Sequence, residues 1–147
     1  MKTLRVGVIG CGHLGRIHAR LLASAEGAQL IAVADPMTDC RRQAAGETGA
    51  AQLADYRDLI GQIDAAIVAA PATLHHAIGM ELLRHGIHVL MEKPLAVTTA
   101  ETEELVWAAR WHGAVLQVGN IEQFNPALRQ VLPLVQNARL IEATRAG

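Results

Sequence analysis

Apolar positions along this chain fall into two alternating patterns. Short apolar runs of strand length occupy Thr3 to Ile9, Gln29 to Ala34, Asp64 to Ala70, His88 to Met91 and Val115 to Gly119. Runs that short, nearly continuous in Val, Ile, Leu and Ala and bounded by turn residues, read as strands buried on both faces. Between them the apolar residues recur every three or four positions, the period of an amphipathic helix. Helices are predicted over His13 to Ser24, Met37 to about Ala45, Thr73 to His85, and from a Thr98 cap to about Trp111. Leu14, Ile17, His18, Leu21 and Leu22 are expected to form the sheet-facing stripe of the first, and Gly46 and Gly49 to end the second. Glu101 three residues after Thr98 completes a capping-box pattern. Ala51 to Leu53 reads as a brief strand and Tyr56 to Ile60 as a helical turn. Alternation of this kind predicts an α/β fold, a doubly wound parallel sheet with helices on both faces.

The pattern changes after residue 120. Pro126 to Gln136 is helical in part, with Pro133 set to kink or end it. Arg139 to Thr144 reads as a further strand with no following element to pair with. The expected organisation is a nucleotide-binding domain over residues 1–120. Residues 121–147 would then be a crossover helix and the first strand of a second domain whose bulk is absent.

Bulk properties narrow the classes. At 147 residues, 51% hydrophobic and with few aromatics, the chain has enough apolar mass for one substantial core. Thirteen basic against 14 acidic residues give a formal net charge of −1, so charge offers no case for nucleic acid or an anionic membrane. No apolar run approaches the length of a membrane span and the N-terminus lacks a signal-peptide pattern. The two cysteines, Cys11 and Cys40, have no metal or redox spacing and read as reduced thiols, which points to a cytoplasmic setting. No histidine spacing suits a metal.

Candidate chemistry gathers at the C-terminal ends of the predicted strands, where open α/β sheets bind ligands. Gly10-Cys11-Gly12-His13-Leu14-Gly15 joins the first strand to the first helix. In that context G-x-G-x-x-G is a dinucleotide-binding fingerprint. Gly10 permits the tight turn, Gly12 lets a pyrophosphate approach the backbone, and Gly15 lets helix and strand pack closely, with the helix N-terminus facing the phosphates. His13 lies in the same loop and contributes mainly backbone. Asp35, 20 residues after Gly15, ends the second strand, where a carboxylate accepts from ribose hydroxyls and repels a 2′-phosphate. Arg41 and Arg42 complicate that choice, but their place inside a helix favours NAD over NADP. Further strand ends carry Ala70-Pro71-Ala72-Thr73-Leu74-His75, Glu92-Lys93-Pro94 and Gly119-Asn120. Cys11 reads as a small packing residue whose thiol the nearby helix N-terminus could acidify. His18, His76, His85, His88 and His112 read as structural. Trp107 and Trp111, at i and i+4, read as packing or interface residues.

Gly10 to Gly15, Asp35, Pro71-x-x-x-His75 and above all Glu92-Lys93-Pro94 resemble the Gfo/Idh/MocA family of NAD(P)-dependent sugar oxidoreductases. The run Ile121-Glu122-Gln123-Phe124-Asn125-Pro126 is most similar to members acting on sugar nucleotides, such as UDP-N-acetylglucosamine 3-dehydrogenases. The resemblance implies a Rossmann domain holding NAD through Gly10, Gly12, His13, Leu14, Gly15 and Asp35, with Ala70, Pro71 and His75 along its nicotinamide end. It implies that Glu92 and Lys93 sit beside the nicotinamide, that Lys93 contacts the substrate hydroxyl as the catalytic lysine, and that a cis bond precedes Pro94. Two departures stand out: Ala70 replaces a usual threonine and Gln123 a usual arginine.

The resemblance also implies a second α/β domain supplying the sugar, sugar-nucleotide or polyol pocket and an Asp/His pair, none of which is assignable here. The chain is therefore expected to be the NAD-binding half of a dehydrogenase, an excised portion or a natural short product, inactive alone and homo-oligomeric when whole. A non-catalytic NAD(H)-sensing module is the alternative that the sequence leaves open. Glu92-Lys93-Pro94 weighs against it, since a sensor has no use for a lysine at the nicotinamide.

Overall fold

The computed structural model describes residues 3–135 together with Asn137, Arg139, Leu140, Glu142 and Thr144. Six strands form one parallel sheet: β1 (Leu4–Ile9), β2 (Ala28–Ala34), β3 (Ala51–Leu53), β4 (Ala65–Val68), β5 (His88–Met91) and β6 (Leu116–Val118). Their spatial order is β3-β2-β1-β4-β5-β6, the doubly wound order in which the chain reverses direction across the sheet between β1 and β4. That reversal opens a crevice at the carboxyl ends of β1 and β4. Every pairing is parallel, with one irregularity between β1 and β2 at Val6 and Gly7.

Helices α1 (His13–Ala23) and α2 (Thr38–Thr48) cover one face; α3 (Ala72–Arg84) and α4 (Thr99–Trp111) cover the other. The smaller cluster packs Val8, Cys11, Ala19, Val33 and Ala44 under α1 and α2. The larger gathers Ile9, Leu59, Val68, Leu82, Leu83, Met91 and Leu105. Alternate residues of the same strands feed the two clusters, as pleating requires, so the strands are apolar on both faces.

The stripe expected on α1 is corrected. Gly15 and Ala19 are its buried residues and Leu22 packs partly buried against the smaller cluster as expected, while Leu14 and Leu21 are exposed. Small residues win the sheet-facing positions because α1 approaches closely: a Cβ on Gly15 would lie 1.7 Å from the Gly10 carbonyl oxygen. Likewise α2 runs through Gly46 and ends at Gly49, which adopts φ +73° as a left-handed cap. The Tyr56–Leu59 turn is a 3-10 helix that inserts the fully buried Leu59. Thr98 and Glu101 close both bonds of the capping box on α4.

After β6 the described chain makes a 3-10 turn (Ile121–Phe124), α5 (Pro126–Val131) and a further 3-10 turn (Leu132–Val135) that contains Pro133. None of these has a buried residue. The strand expected over Arg139 to Thr144 lies partly outside the described residues; the described ones there are not in a strand. On α4, Trp107 and Trp111 stack with ring centroids 5.1 Å apart, yet are 59% and 71% exposed. Among the described residues no helix is long and apolar enough to cross a membrane, and no three His, Cys, Asp or Glu side chains group as a metal site.

Candidate functional site

A cleft of about 850 Å³ opens over the carboxyl ends of β1, β2 and β4. Of the residues singled out by sequence, Gly10, Gly12, His13, Leu14, Asp35, Ala70 and Pro71 line it. Leu74, Ala77 and Ile78 of α3 form an apolar wall, and Asp55, Tyr56 and Arg57 close the far end. These last three escaped the sequence reading, because nothing before the fold is known brings the turn after β3 beside the turn after β2.

Each glycine of the loop has a distinct steric role. Gly10 turns the chain at φ +87°, and a Cβ there would meet the Ala69–Ala70 backbone at 2.7 Å. Gly15 is packed on Gly10, as above. Gly12 has nothing within 4 Å of its Cβ position, so its backbone borders open volume in the cleft. It is also the N-cap of α1; no side chain caps that helix and no acidic residue stands in its first turn. Uncapped N–H groups and the positive end of the helix dipole are thus left facing the cleft, which suits a pyrophosphate. The residues present fit a dinucleotide.

Asp35 ties two loops together. Its Oδ2 accepts from the Cys11 N–H at 2.7 Å and its Oδ1 from the Met37 N–H at 2.8 Å. The carboxylate is therefore fixed at the β2 end of the cleft, with lone pairs remaining for ribose hydroxyls. Arg41 is not remote from it. Its guanidinium donates to the carbonyls of Asp35 (3.2 Å) and Pro36 (3.0 Å), because the start of α2 folds that side chain back over the turn. Arg42 points away, 3.7 Å from Asp39. Cys11 is buried beneath the loop, and burial, with the Asp35 charge beside it, pushes its thiol up to about 12. Cys11 is thus the small packing residue expected, and desolvation outweighs the acidification that the helix N-terminus could have supplied.

Glu92, Lys93 and Pro94 follow β5, the strand beyond β4 and outside the cleft lining. Glu92 is 8% exposed. Its Oε1 lies 2.7 Å from His18 Nε2 and its Oε2 accepts from the Lys93 N–H at 3.2 Å. A carboxylate is acceptor only, so the Nε2–H of His18 donates. Gly119 leaves room for this pair, since a Cβ there would sit 3.0 Å from Oε2. Lys93 itself is exposed, with no partner for its ammonium among the described residues. The Lys93–Pro94 bond is cis.

His75 does not face the cleft. It is 1% exposed, with Nδ1 2.8 Å from the Pro94 carbonyl oxygen and Nε2 2.8 Å from that of Ala70. It joins the turn after β4 to the turn after β5. His76 points elsewhere and pairs with Glu104 at 2.7 Å. His18, read from sequence as a structural histidine on the first helix, has a structural partner that the reading did not find. The available signal was Glu92, since a glutamate at the end of a buried strand needs a donor.

Comparison with known proteins agrees with this geometry. Residues 4–120 match the family model described as the Gfo/Idh/MocA oxidoreductase family, NAD-binding Rossmann fold. UDP-N-acetylglucosamine 3-dehydrogenase of Acidithiobacillus ferrooxidans is 32% identical over 146 residues, 99% of this chain and 46% of that protein. Inositol 2-dehydrogenase 1 of Saccharopolyspora erythraea is 37% identical over 131 residues, 85% of this chain and 39% of that protein. The WlbA dehydrogenase from Bordetella pertussis, solved with NADH and UDP-GlcNAcA, superposes with a TM-score of 0.84 at 27% identity, covering 95% of this chain and 44% of that one. The chain thus spans less than half the length of these relatives. With its sheet order, its glycine loop and the span of that match, it belongs to the Gfo/Idh/MocA oxidoreductase family as an NAD-binding Rossmann domain.

Proposed function

We propose that this chain is the cofactor-holding half of a dehydrogenase that oxidises a secondary hydroxyl of a sugar, sugar nucleotide or polyol. The observation that carries the reading is the exposed, unpartnered Lys93, on a segment whose two neighbours are held by His18 and by the buried His75. A cation fixed by its flanks and left free at its tip suits chemistry better than structure. A sensor of NAD(H) has no need of it.

Bound NAD supplies the acceptor for a hydride from the carbinol carbon. The glycine loop and α1 hold the pyrophosphate, Asp35 takes the adenosine ribose, and the turn at Ala70 and Pro71 borders the nicotinamide end. Lys93 is the catalytic residue: its ammonium stands at the substrate hydroxyl and offsets the negative charge that builds on oxygen as the carbon loses hydride. The base that takes the hydroxyl proton is assigned to a second domain, to which residues 121–147 lead. The exposed Ile121, Phe124 and Leu134 support that division after residue 120. Sugar nucleotides are the substrate class favoured by the Ile121 to Pro126 run. A cytoplasmic, self-associating enzyme is part of the same reading, supported by the free thiols Cys11 and Cys40 and by the exposed tryptophan pair.

The test is Lys93→Ala in the protein carrying both domains. Turnover should fall on the order of 100-fold or more, while NADH affinity stays within about twofold. Turnover at the unsubstituted level removes Lys93 from the mechanism.

A further inference from the structure

We propose that His18 is a positioning residue, coupling the pyrophosphate-binding helix to the Lys93 segment through Glu92. The inference rests on the reading that Lys93 works at the nicotinamide end. It starts from a mismatch of place. His18 belongs to α1, whose first turn serves the glycine loop, yet its ring bonds to the end of β5, a strand two places across the sheet from β1.

The pair is built rather than incidental. Glu92 is nearly buried, and its two oxygens are divided between two donors, His18 Nε2–H on one and the Lys93 backbone N–H on the other. Gly119, at the end of β6, supplies the space: any side chain there would press on the carboxylate. With His18 gone, Glu92 would keep only the longer 3.2 Å bond, and a carboxylate so poorly paired turns toward water. The Lys93 N–H would lose its acceptor with it. Because Glu92 and Lys93 are adjacent, the backbone that aims the lysine moves when the carboxylate does. The other anchor, His75 on Pro94, fixes only the far side of Lys93.

The consequence is a ligand-selective defect. ADP-ribose occupies the glycine loop and the Asp35 end but has no nicotinamide; NADH also reaches the Glu92–Lys93 backbone, which Lys93→Ala leaves in place and a displaced Glu92 does not. Titrated into this chain, His18→Ala should weaken NADH about tenfold, the scale of one lost charge-assisted hydrogen bond, and leave ADP-ribose within about twofold. His18→Gln, which keeps an N–H donor, should recover most of the loss. Gly119→Ala disturbs the same carboxylate without touching α1 and should reproduce the selective loss, so the test survives if His18→Ala folds poorly. In ¹⁵N spectra the Lys93 amide should shift in both variants.

Equal weakening of both ligands, or none in either variant, overturns the proposal: His18 would then support α1 only, or nothing. The underlying reading fails separately, through undiminished turnover in Lys93→Ala, a result with no bearing on the ratio of NADH to ADP-ribose affinity.

Discussion

Cys11 illustrates how one residue can carry opposing influences that only burial decides. Its position between glycines at the start of α1 favours a thiolate. Its enclosure beneath the loop, beside the Asp35 carboxylate, favours the thiol and raises it from 9.0 to about 12. The folded protein therefore holds the Cys11 proton more tightly than the unfolded chain does. This contribution to stability is complete below the unfolded value and is lost as pH climbs from about 9 toward about 12. Native protein treated with iodoacetamide near pH 8.5 should be alkylated at the cleft-lining Cys40 and spared at Cys11, with both labelled after denaturation; mass spectrometry of the peptides checks it. Cys11 labelled at the rate of a free thiol would show that the loop opens readily.

At the scale of elements, the turns after β1, β2, β4 and β5 are linked to one another by side chains. Asp35 bridges the first two, His75 the last two, and His18 reaches from α1 to the end of β5. The β2 turn has a specific consequence for cofactor choice. Asp35 brings negative charge to the β2 end of the cleft, while the Arg41 guanidinium is held against the same turn by two backbone carbonyls. Replacing Asp35 with Ser should weaken NADH by several fold and strengthen NADPH relative to it, since the repelling carboxylate goes and Arg41 remains. Parallel fluorescence titrations measure the ratio. An unchanged ratio would reduce Asp35 to a brace between loops.

Much of this was legible in the sequence, and the parts that were not share a cause. The strands announced themselves because burial on both faces leaves continuous apolar runs. The glycine loop and Asp35 could be marked because their spacing relative to strands carries physical meaning, whereas Lys93 stood only at a strand end and took its expected role from the family resemblance. The face of α1 was misread because helical periodicity weighs side-chain size, whereas the close approach at Gly15 selected Gly15 and Ala19 for the sheet and left Leu14 and Leu21 outside. The bond of His18 to Glu92 and the group from Asp55 to Arg57 escaped the sequence reading because their partners are distant in sequence, and the place of Arg41 because its side chain folds back over the turn before α2. Local pattern assigns residues to elements; it does not say which elements meet.

For the whole molecule the central claim is that the cleft takes NAD with its pyrophosphate laid over Gly12. That glycine offers an unusually clean test. Its φ of −68° is accessible to any residue, and no atom lies within 4 Å of its Cβ position, so a side chain there should leave the fold intact and fill the volume assigned to the pyrophosphate. The decisive measurement is a calorimetric NADH titration of this chain beside its Gly12→Val variant, with melting temperatures recorded for both. The expected result is binding by the unsubstituted chain, little change in melting temperature, and affinity reduced on the order of 100-fold or more in Gly12→Val, the scale of steric exclusion from a phosphate cradle. NADH bound equally well by Gly12→Val, or not bound by the unsubstituted chain, would contradict it.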